Sequence, residues 1–235
     1  MTGQGRTAVE APAEKTGRPA TIEPRWPIVL TLGLFIAFTI ALRVIEPERE
    51  TLGPAWLVPG IETALLIIFL CSDPARVSGH RRWLRRAAIT LVGLLAFLAF
   101  LSTIILIKAL IQGGKVTQSA SALLASGAVI WLGNALVFSL LYWLLDSGGP
   151  LARYRGEREF PDFAFSQQMS PELAPPGWRP HFSDYLVLGL TTSTAFSPTD
   201  VMPMARWAKL TMAVQSLISL SVVGLVIARA VNVFT

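Results

Sequence analysis

Five long runs of apolar residues set the strongest constraint on the fold of this chain. In water, a helix that is apolar all round must be buried, whereas about 20 apolar residues cross the roughly 30 Å hydrocarbon core of a bilayer. We therefore predict an all-α membrane protein with five transmembrane helices, the second being marginal in length. The predicted spans cover residues 27–45, 54–71, 87–111, 120–145 and 204–234.

Composition supports this class. Only 15% of the residues are charged and the mean hydropathy is +0.54, whereas soluble domains carry about 25% charged residues. The single cysteine excludes a disulfide framework. Residues 1–25 are polar and lack apolar periodicity, so they are predicted to form a flexible cytoplasmic tail.

The positions of the basic residues predict the orientation of the chain. Five spans would place 15 of the 20 Lys and Arg residues on the side of the tail. The positive-inside rule then puts the N-terminus in the cytoplasm and the C-terminus outside the plasma (inner) membrane. The net charge of +5 is thereby explained without nucleic acid. One basic cluster is either a topology anchor or a lipid-facing site for anionic headgroups, and it comprises Arg81, Arg82, Arg85 and Arg86.

A short apolar segment precedes the last predicted span. Ser183 or Asp184 can cap a helix start, and residues 185–190 are apolar but too few to cross a bilayer. Four hydroxyl residues follow at 191–194, and then a Ser-Pro-Thr-Asp turn at 197–200. This pattern predicts a re-entrant helix, which enters the membrane and returns to the same side.

The stretch from Tyr185 to the C-terminus resembles the pore module of potassium-channel-like proteins. The matching pattern of Thr, Thr, Thr, Asp and Pro falls, without a gap, on Thr191, Thr192, Thr194, Asp200 and Pro203. Residues 222–232 also resemble the end of the inner helix in bacterial two-span channels. The wider layout is similar to a family of uncharacterised bacterial integral membrane proteins. The resemblance implies a pore-loop fold, conduction or binding of a monovalent cation, and a homo-oligomer that is a tetramer if it is a channel.

Two features depart from the channel pattern. The family filter is Thr-Val-Gly-Tyr-Gly, whereas this chain has Ala-Phe-Ser-Pro-Thr at 195–199, which lacks the glycines that aim filter carbonyls. The charge count also makes the re-entrant segment enter from the cytoplasm, as in ionotropic glutamate receptors and opposite to potassium channels. The candidate ion-pathway residues are Thr191, Thr192, Thr194, Ser197, Thr199 and Asp200.

Three polar side chains fall inside the predicted spans, and intramembrane polar residues are functional candidates. They are Glu62, Asn134 and Gln215, and they could meet near the midplane. Either they coordinate a proton or cation, or they form ordinary interhelical hydrogen bonds. The connecting loop 146–182 holds four aromatic residues that are expected on the membrane surface or over the mouth of the re-entrant helix, namely Phe160, Phe163, Phe165 and Trp178.

No sequence motif indicates an enzyme. The chain lacks a phosphate-binding loop, a nucleophile elbow and recognisable metal-ligand spacing, so no cofactor and no metal are predicted. The predicted organisation is a tail (1–25), a four-helix region (26–145), a loop (146–182) and a pore-loop-like module (183–235). Two functions remain open: a conducting or cation-binding protein with a degenerate pore module, and a non-conducting scaffold or accessory subunit that retains its fold.

Overall fold

The computed structural model describes residues 26–45, 54, 56–71, 82–112, 120–194 and 200–234. The predicted tail at 1–25 lies outside these residues. The described chain is mostly helical, which confirms the all-α class, and it adds one small antiparallel sheet. The helices are α1 (Trp26–Ile45), α2 (Leu57–Cys71), α3 (Arg82–Gln112), α4 (Ala120–Leu145), α5 (Pro150–Arg155), α6 (Ser166–Met169), α7 (Phe182–Ser193) and α8 (Arg206–Phe234). The strands are β1 (Phe163–Phe165) and β2 (Val201–Pro203).

Three helices are long and apolar enough to cross a membrane. Their apolar stretches are Arg85–Ile105 in α3, Leu123–Gly148 from α4, and Arg206–Val231 in α8. Two further apolar helices, α1 and α2, are shorter. Large apolar side chains remain exposed along α1, α3 and α8, as expected for surfaces that face lipid. The chain is therefore a membrane protein by the length and composition of its helices.

Helix α4 is the centre of the bundle. In α4, 61% of the apolar stretch is buried inside the protein. The buried share of the corresponding stretch is 28% in α3 and 33% in α8. Arg85 near the start of α3 donates a hydrogen bond to the carbonyl oxygen of Leu144 near the end of α4, at 3.3 Å. Helix α8 also runs antiparallel to α4, since its side chains contact Tyr142, Asn134 and Gly127 in that order. The ends of α3, α4 and α8 that carry Arg85, Leu144 and Arg206 therefore lie at one end of the bundle, named here the arginine end.

Helix α7 begins at the arginine end and reaches only halfway along α4. Tyr185 in its first turns contacts Asp146, which follows α4, and the carbonyl of its last residue, Ser193, accepts a hydrogen bond from Trp131 near the middle of α4. Strand β2, which follows, pairs with β1, and β1 begins next to Asp162 at the arginine end. The beginning of α7 and strand β2 therefore both lie at the arginine end.

The segment between α4 and α7 is packed into the protein. Phe163 and Phe165 are buried, Phe163 against Tyr142 and Trp207, and Phe165 against Tyr185 and Trp178. Of the two expected positions, only the membrane surface is excluded for these rings, because pairing of β1 with β2 brings them against α4, α7 and α8. These aromatic residues instead cover the beginning of α7. Phe160 alone among the four is strongly exposed, at 76%.

The crossing of α7 over α4 requires a glycine. A Cβ atom built on Gly189 would overlap the Ser139 hydroxyl and would lie 2.7 Å from the carbonyl oxygen of Ala135. A side-chain hydroxyl can rotate away, but a backbone carbonyl within a helix cannot. Gly189 therefore sets how closely the two helices approach.

Replacing Gly189 with alanine is predicted to destabilise the protein by about 1–3 kcal/mol, because an overfilled contact forces the helices apart. Thermal unfolding in detergent, followed by tryptophan fluorescence, measures the effect. Gly224→Ala is the matched control, since nothing lies within 4 Å of the added methyl group on the outer face of α8. Equal melting temperatures for the two variants would contradict the close approach of α7 and α4.

Candidate functional site

The threonines of α7 are satisfied mainly by the backbone of their own helix. The Thr191 hydroxyl donates to the carbonyl oxygens of Val187 (2.8 Å) and Leu188 (3.1 Å), and the Thr194 hydroxyl donates to that of Thr191 (2.7 Å). Thr192 is buried at 2% exposure, and its hydroxyl has no hydrogen-bond partner in the described part of the chain. The three hydroxyl groups therefore differ in environment, since Thr191 is half-buried, Thr192 is buried and Thr194 is exposed.

The carbonyl groups at the end of α7 also have partners. A helix end leaves its last carbonyls without intrahelical donors. Here the Trp131 indole N–H donates to the Ser193 carbonyl oxygen at 2.9 Å, and the Ser216 hydroxyl donates to that of Thr192 at 3.2 Å. The Thr194 amide donates to the carbonyls of Leu190 and Thr191, at 3.2 Å each. Helices α4 and α8 thus cap the end of α7 from both sides.

Gln215 joins α8 to both neighbouring helices. Its side-chain amide donates to the Gly189 carbonyl oxygen at 2.7 Å and to the Ser193 hydroxyl at 2.8 Å. Its side-chain carbonyl accepts a 2.6 Å hydrogen bond from the Tyr142 hydroxyl of α4. The side chain is fully buried. All of its hydrogen-bonding atoms are therefore engaged at the contact of α4, α7 and α8.

Asn134 of α4 lies in the same network and contacts α8 one turn beyond Gln215, at Ser219. Its side-chain amide donates to the Ser219 hydroxyl at 2.6 Å and to the Gln215 backbone carbonyl at 3.4 Å. Its side-chain oxygen has no partner in the described part of the chain. The structure therefore brings two of the three predicted intramembrane polar residues together.

Glu62 occupies a different contact. Its carboxylate, which is buried at 0% exposure, accepts a hydrogen bond of 3.3 Å from the Thr39 hydroxyl of α1. Helix α2 packs between α1 and α3, whereas Asn134 and Gln215 lie where α4 meets α7 and α8.

The densest polar contact lies at the arginine end and has Asp146 at its centre. The Asp146 carboxylate accepts hydrogen bonds from the amides of Asp162 (3.1 Å) and Phe163 (3.2 Å) and from the hydroxyls of Ser147 (2.9 Å) and Tyr185. It is buried at 1% exposure. Four donors therefore replace the hydration that this buried carboxylate loses.

Asp162 and Arg153 complete this contact. The Asp162 carboxylate accepts hydrogen bonds from the Ser147 amide at 2.8 Å and from the Trp207 indole at 3.1 Å, so it links β1 to α8. The Arg153 guanidinium lies over the Tyr185 ring, 4.9 Å from its centre, and donates to the carbonyl of Asp146 at 2.9 Å. The beginnings of α7 and α8 are thus held by one polar junction.

The remaining predicted site residues are peripheral to these networks. The Asp200 side chain is exposed, and its backbone carbonyl accepts hydrogen bonds from the Ser166 amide (2.9 Å) and hydroxyl (2.8 Å). Ser197 and Thr199 lie outside the described residues. In the basic cluster, Arg85 is half-buried at the arginine end and Arg86 is exposed, while Arg81 and the side chain of Arg82 are outside the described part. No group of three potential metal ligands occurs within the described residues.

Comparisons of the chain with protein-family models, with curated proteins and with solved structures find no match.

Several members of these networks were not anticipated from sequence. Tyr142, Ser193 and Asp146 each carry a polar group at the end or on the buried side of an apolar run, and their partners lie far along the chain. For Asp146, the sequence feature that indicates a special role is its position. It is the first charged residue after a 26-residue apolar helix, and Ser-Gly-Gly-Pro follows it.

Replacing Gln215 with leucine is predicted to destabilise the protein by about 1–3 kcal/mol, because it leaves buried polar partners unsatisfied. The measurement is unfolding in detergent. Ser221→Ala is the control, since the Ser221 hydroxyl bonds only the Leu217 carbonyl of its own helix among the described contacts. A Gln215→Leu variant as stable as Ser221→Ala would show that the network contributes little.

Proposed function

We propose that the protein is a non-conducting membrane scaffold or accessory subunit whose C-terminal module keeps a pore-loop fold as a packing element. The observation that carries this proposal is the capping of the end of α7. In a conducting pore helix, the C-terminal carbonyls carry a partial negative charge that favours a cation. Here Trp131 and Ser216 donate hydrogen bonds to the carbonyls of Ser193 and Thr192.

The polar interior supports the same function. Gln215 uses its amide on Gly189 and Ser193 and its oxygen on Tyr142, all within one chain. Its amide hydrogens and one lone pair of its oxygen are already engaged, which disfavours coordination of a passing ion. The network is suited to holding α4, α7 and α8 in a fixed arrangement.

We propose five spans, with α7 as the re-entrant helix between the fourth and the fifth. Helix α1 has 20 residues, which extend about 30 Å, while the 15 residues of α2 extend about 22 Å. A short span is accommodated by local thinning of the bilayer. The return of the chain from Ser193 to β2 at the arginine end supports the re-entrant path.

Cation conduction by a ring of copies is the second candidate. One face of α7 is left uncovered by the described residues: Ser183, Val187 and Thr194 are exposed along it, and Thr191 is half-buried. In a tetramer this face and the exposed Asp200 could border a central path for a monovalent cation. The conduction hypothesis therefore depends on a homo-oligomer.

Reconstitution of the full-length protein into planar bilayers tests the two functions. We expect no single-channel current in potassium or sodium chloride, because the carbonyl oxygens of residues 190–193 already accept hydrogen bonds from described residues. A reconstituted potassium channel serves as the positive control for the preparation. A current that is reduced by Asp200→Asn or Thr194→Ala, but not by Thr211→Ala on the adjacent α8, would contradict the scaffold and support conduction.

The orientation follows from the arginine end. We propose that this end faces the cytoplasm in the plasma membrane, since most Lys and Arg residues belong to that side in a five-span topology. A periplasm-active reporter fused after Thr235 is expected to be active, and a cytoplasm-active reporter at the same position inactive. The reverse pattern would contradict the proposed topology.

A further inference from the structure

A cavity of about 510 Å³ opens at the arginine end, beside the polar junction of Asp146 and Asp162, with which it shares Arg153 and Ser147. Its wall combines three arginines with apolar side chains and one acid. These lining residues include Arg153, Arg158, Arg179, Phe160, Met204 and Glu159.

The cavity lies at the level where the membrane-spanning stretches end. The stretch through α4 ends at Gly148, two residues before α5, and the one in α8 begins at Arg206, two residues after Met204. Side chains at such positions lie in the polar headgroup region of a bilayer. The cavity is therefore accessible to a lipid headgroup as well as to solutes.

Two of the arginines are held in place by backbone carbonyls. Arg153 donates to the Trp143 carbonyl at 2.7 Å, and Arg179 donates to the Tyr154 carbonyl and lies over the Tyr154 ring. Neither forms an ion pair with a carboxylate within the described residues. Their positions are thus fixed by backbone acceptors, which leaves guanidinium N–H groups for a further ligand.

The third arginine and a fourth nearby increase the local positive charge. Arg158 is 56% exposed and makes one ion pair of 3.4 Å with Asp162, whose carboxylate is shared with Ser147 and Trp207. The Arg85 guanidinium lies beside Gly149 and that of Arg158 beside Gly148, so both positive charges flank the same turn. Like charges brought together at a rigid turn favour a bound anion.

We propose that this cavity binds a phosphate group, carried by an anionic phospholipid of the cytoplasmic leaflet. Guanidinium groups match the geometry of phosphate oxygens and form paired, charge-assisted hydrogen bonds with them. Phe160 and Met204, both well exposed, provide an apolar wall for the glycerol and acyl part of the lipid. The site differs from the predicted cluster of Arg81, Arg82, Arg85 and Arg86, since it is built from the segment between α4 and α7.

The test measures the melting temperature of the full-length protein in a neutral detergent. Three additives are titrated separately: phosphatidylglycerol in mixed micelles, phosphatidylcholine in mixed micelles, and inorganic phosphate. Arg158→Gln and Arg179→Gln each remove one positive charge from the wall. Arg155→Gln is the matched control, because Arg155 is 54% exposed on the same short segment, pairs with Glu157, and does not line the cavity.

We expect phosphatidylglycerol to raise the melting temperature more than phosphatidylcholine does. The apparent affinity should fall about tenfold or more in each wall variant, as expected when a direct hydrogen bond to a charged group is lost, and should be unchanged in Arg155→Gln. If inorganic phosphate stabilises the protein as much as phosphatidylglycerol does, the cavity binds a phosphate group, and its ligand is a soluble phosphate rather than a lipid.

Two outcomes would overturn the proposal. The first is an equal loss of affinity in Arg155→Gln and in the wall variants, which would indicate a general surface-charge effect. The second is the absence of any difference between phosphatidylglycerol and phosphatidylcholine together with no effect of phosphate. If Arg158→Gln folds poorly because its ion pair with Asp162 is lost, Arg179→Gln decides the result alone.

Discussion

The buried carboxylate of Asp146 accepts hydrogen bonds from three separate parts of the chain, and the arrangement of the C-terminal half depends on it. Its donors are Ser147 at the end of α4, the amides at the start of β1, and the Tyr185 hydroxyl on α7. Moving a carboxylate out of water is unfavourable unless such donors replace the lost hydration. These elements must therefore assemble together. Because β1 pairs with β2, and Asp162 next to β1 binds Trp207, the position of α8 follows as well.

Once the start of α7 is fixed by Asp146, its path along α4 is determined by steric contact and hydrogen bonding. Gly189 allows the backbones of α7 and α4 to approach, and that approach brings the Gly189 carbonyl within 2.7 Å of the Gln215 amide. Trp131 then meets the last carbonyl of α7. In an apolar surrounding, an unpaired backbone group is costly, so each bond supports the next. The four-helix region and the pore-loop-like module accordingly share one apolar core.

The helices could be predicted from sequence because their signal is local. The predicted run 120–145 coincides with α4, and the short apolar segment before the last span is α7. The location of Phe163 and Phe165 could not be predicted, since a three-residue strand is buried only when β2 returns beside it. The same holds for Asp146 and Tyr185, whose pairing spans 39 positions. A single aspartate after an apolar helix is equally typical of an exposed membrane-interface residue, so composition alone does not reveal its partners.

A channel pore loop and the proposed scaffold would both require a helix that stops in the middle of the membrane. Such a helix leaves carbonyl groups at its end, and in hydrocarbon these must find donors or an ion. A channel satisfies them with water and permeant cations, which requires glycine-containing filter geometry and an open path. This chain satisfies them with Trp131 and Ser216 from its own neighbouring helices. That solution needs neither filter glycines nor a water-filled path, so the absence of glycine from the sequence at 195–199 and the capped end of α7 are consistent with one another. We propose that this chain uses a pore-loop fold for packing alone.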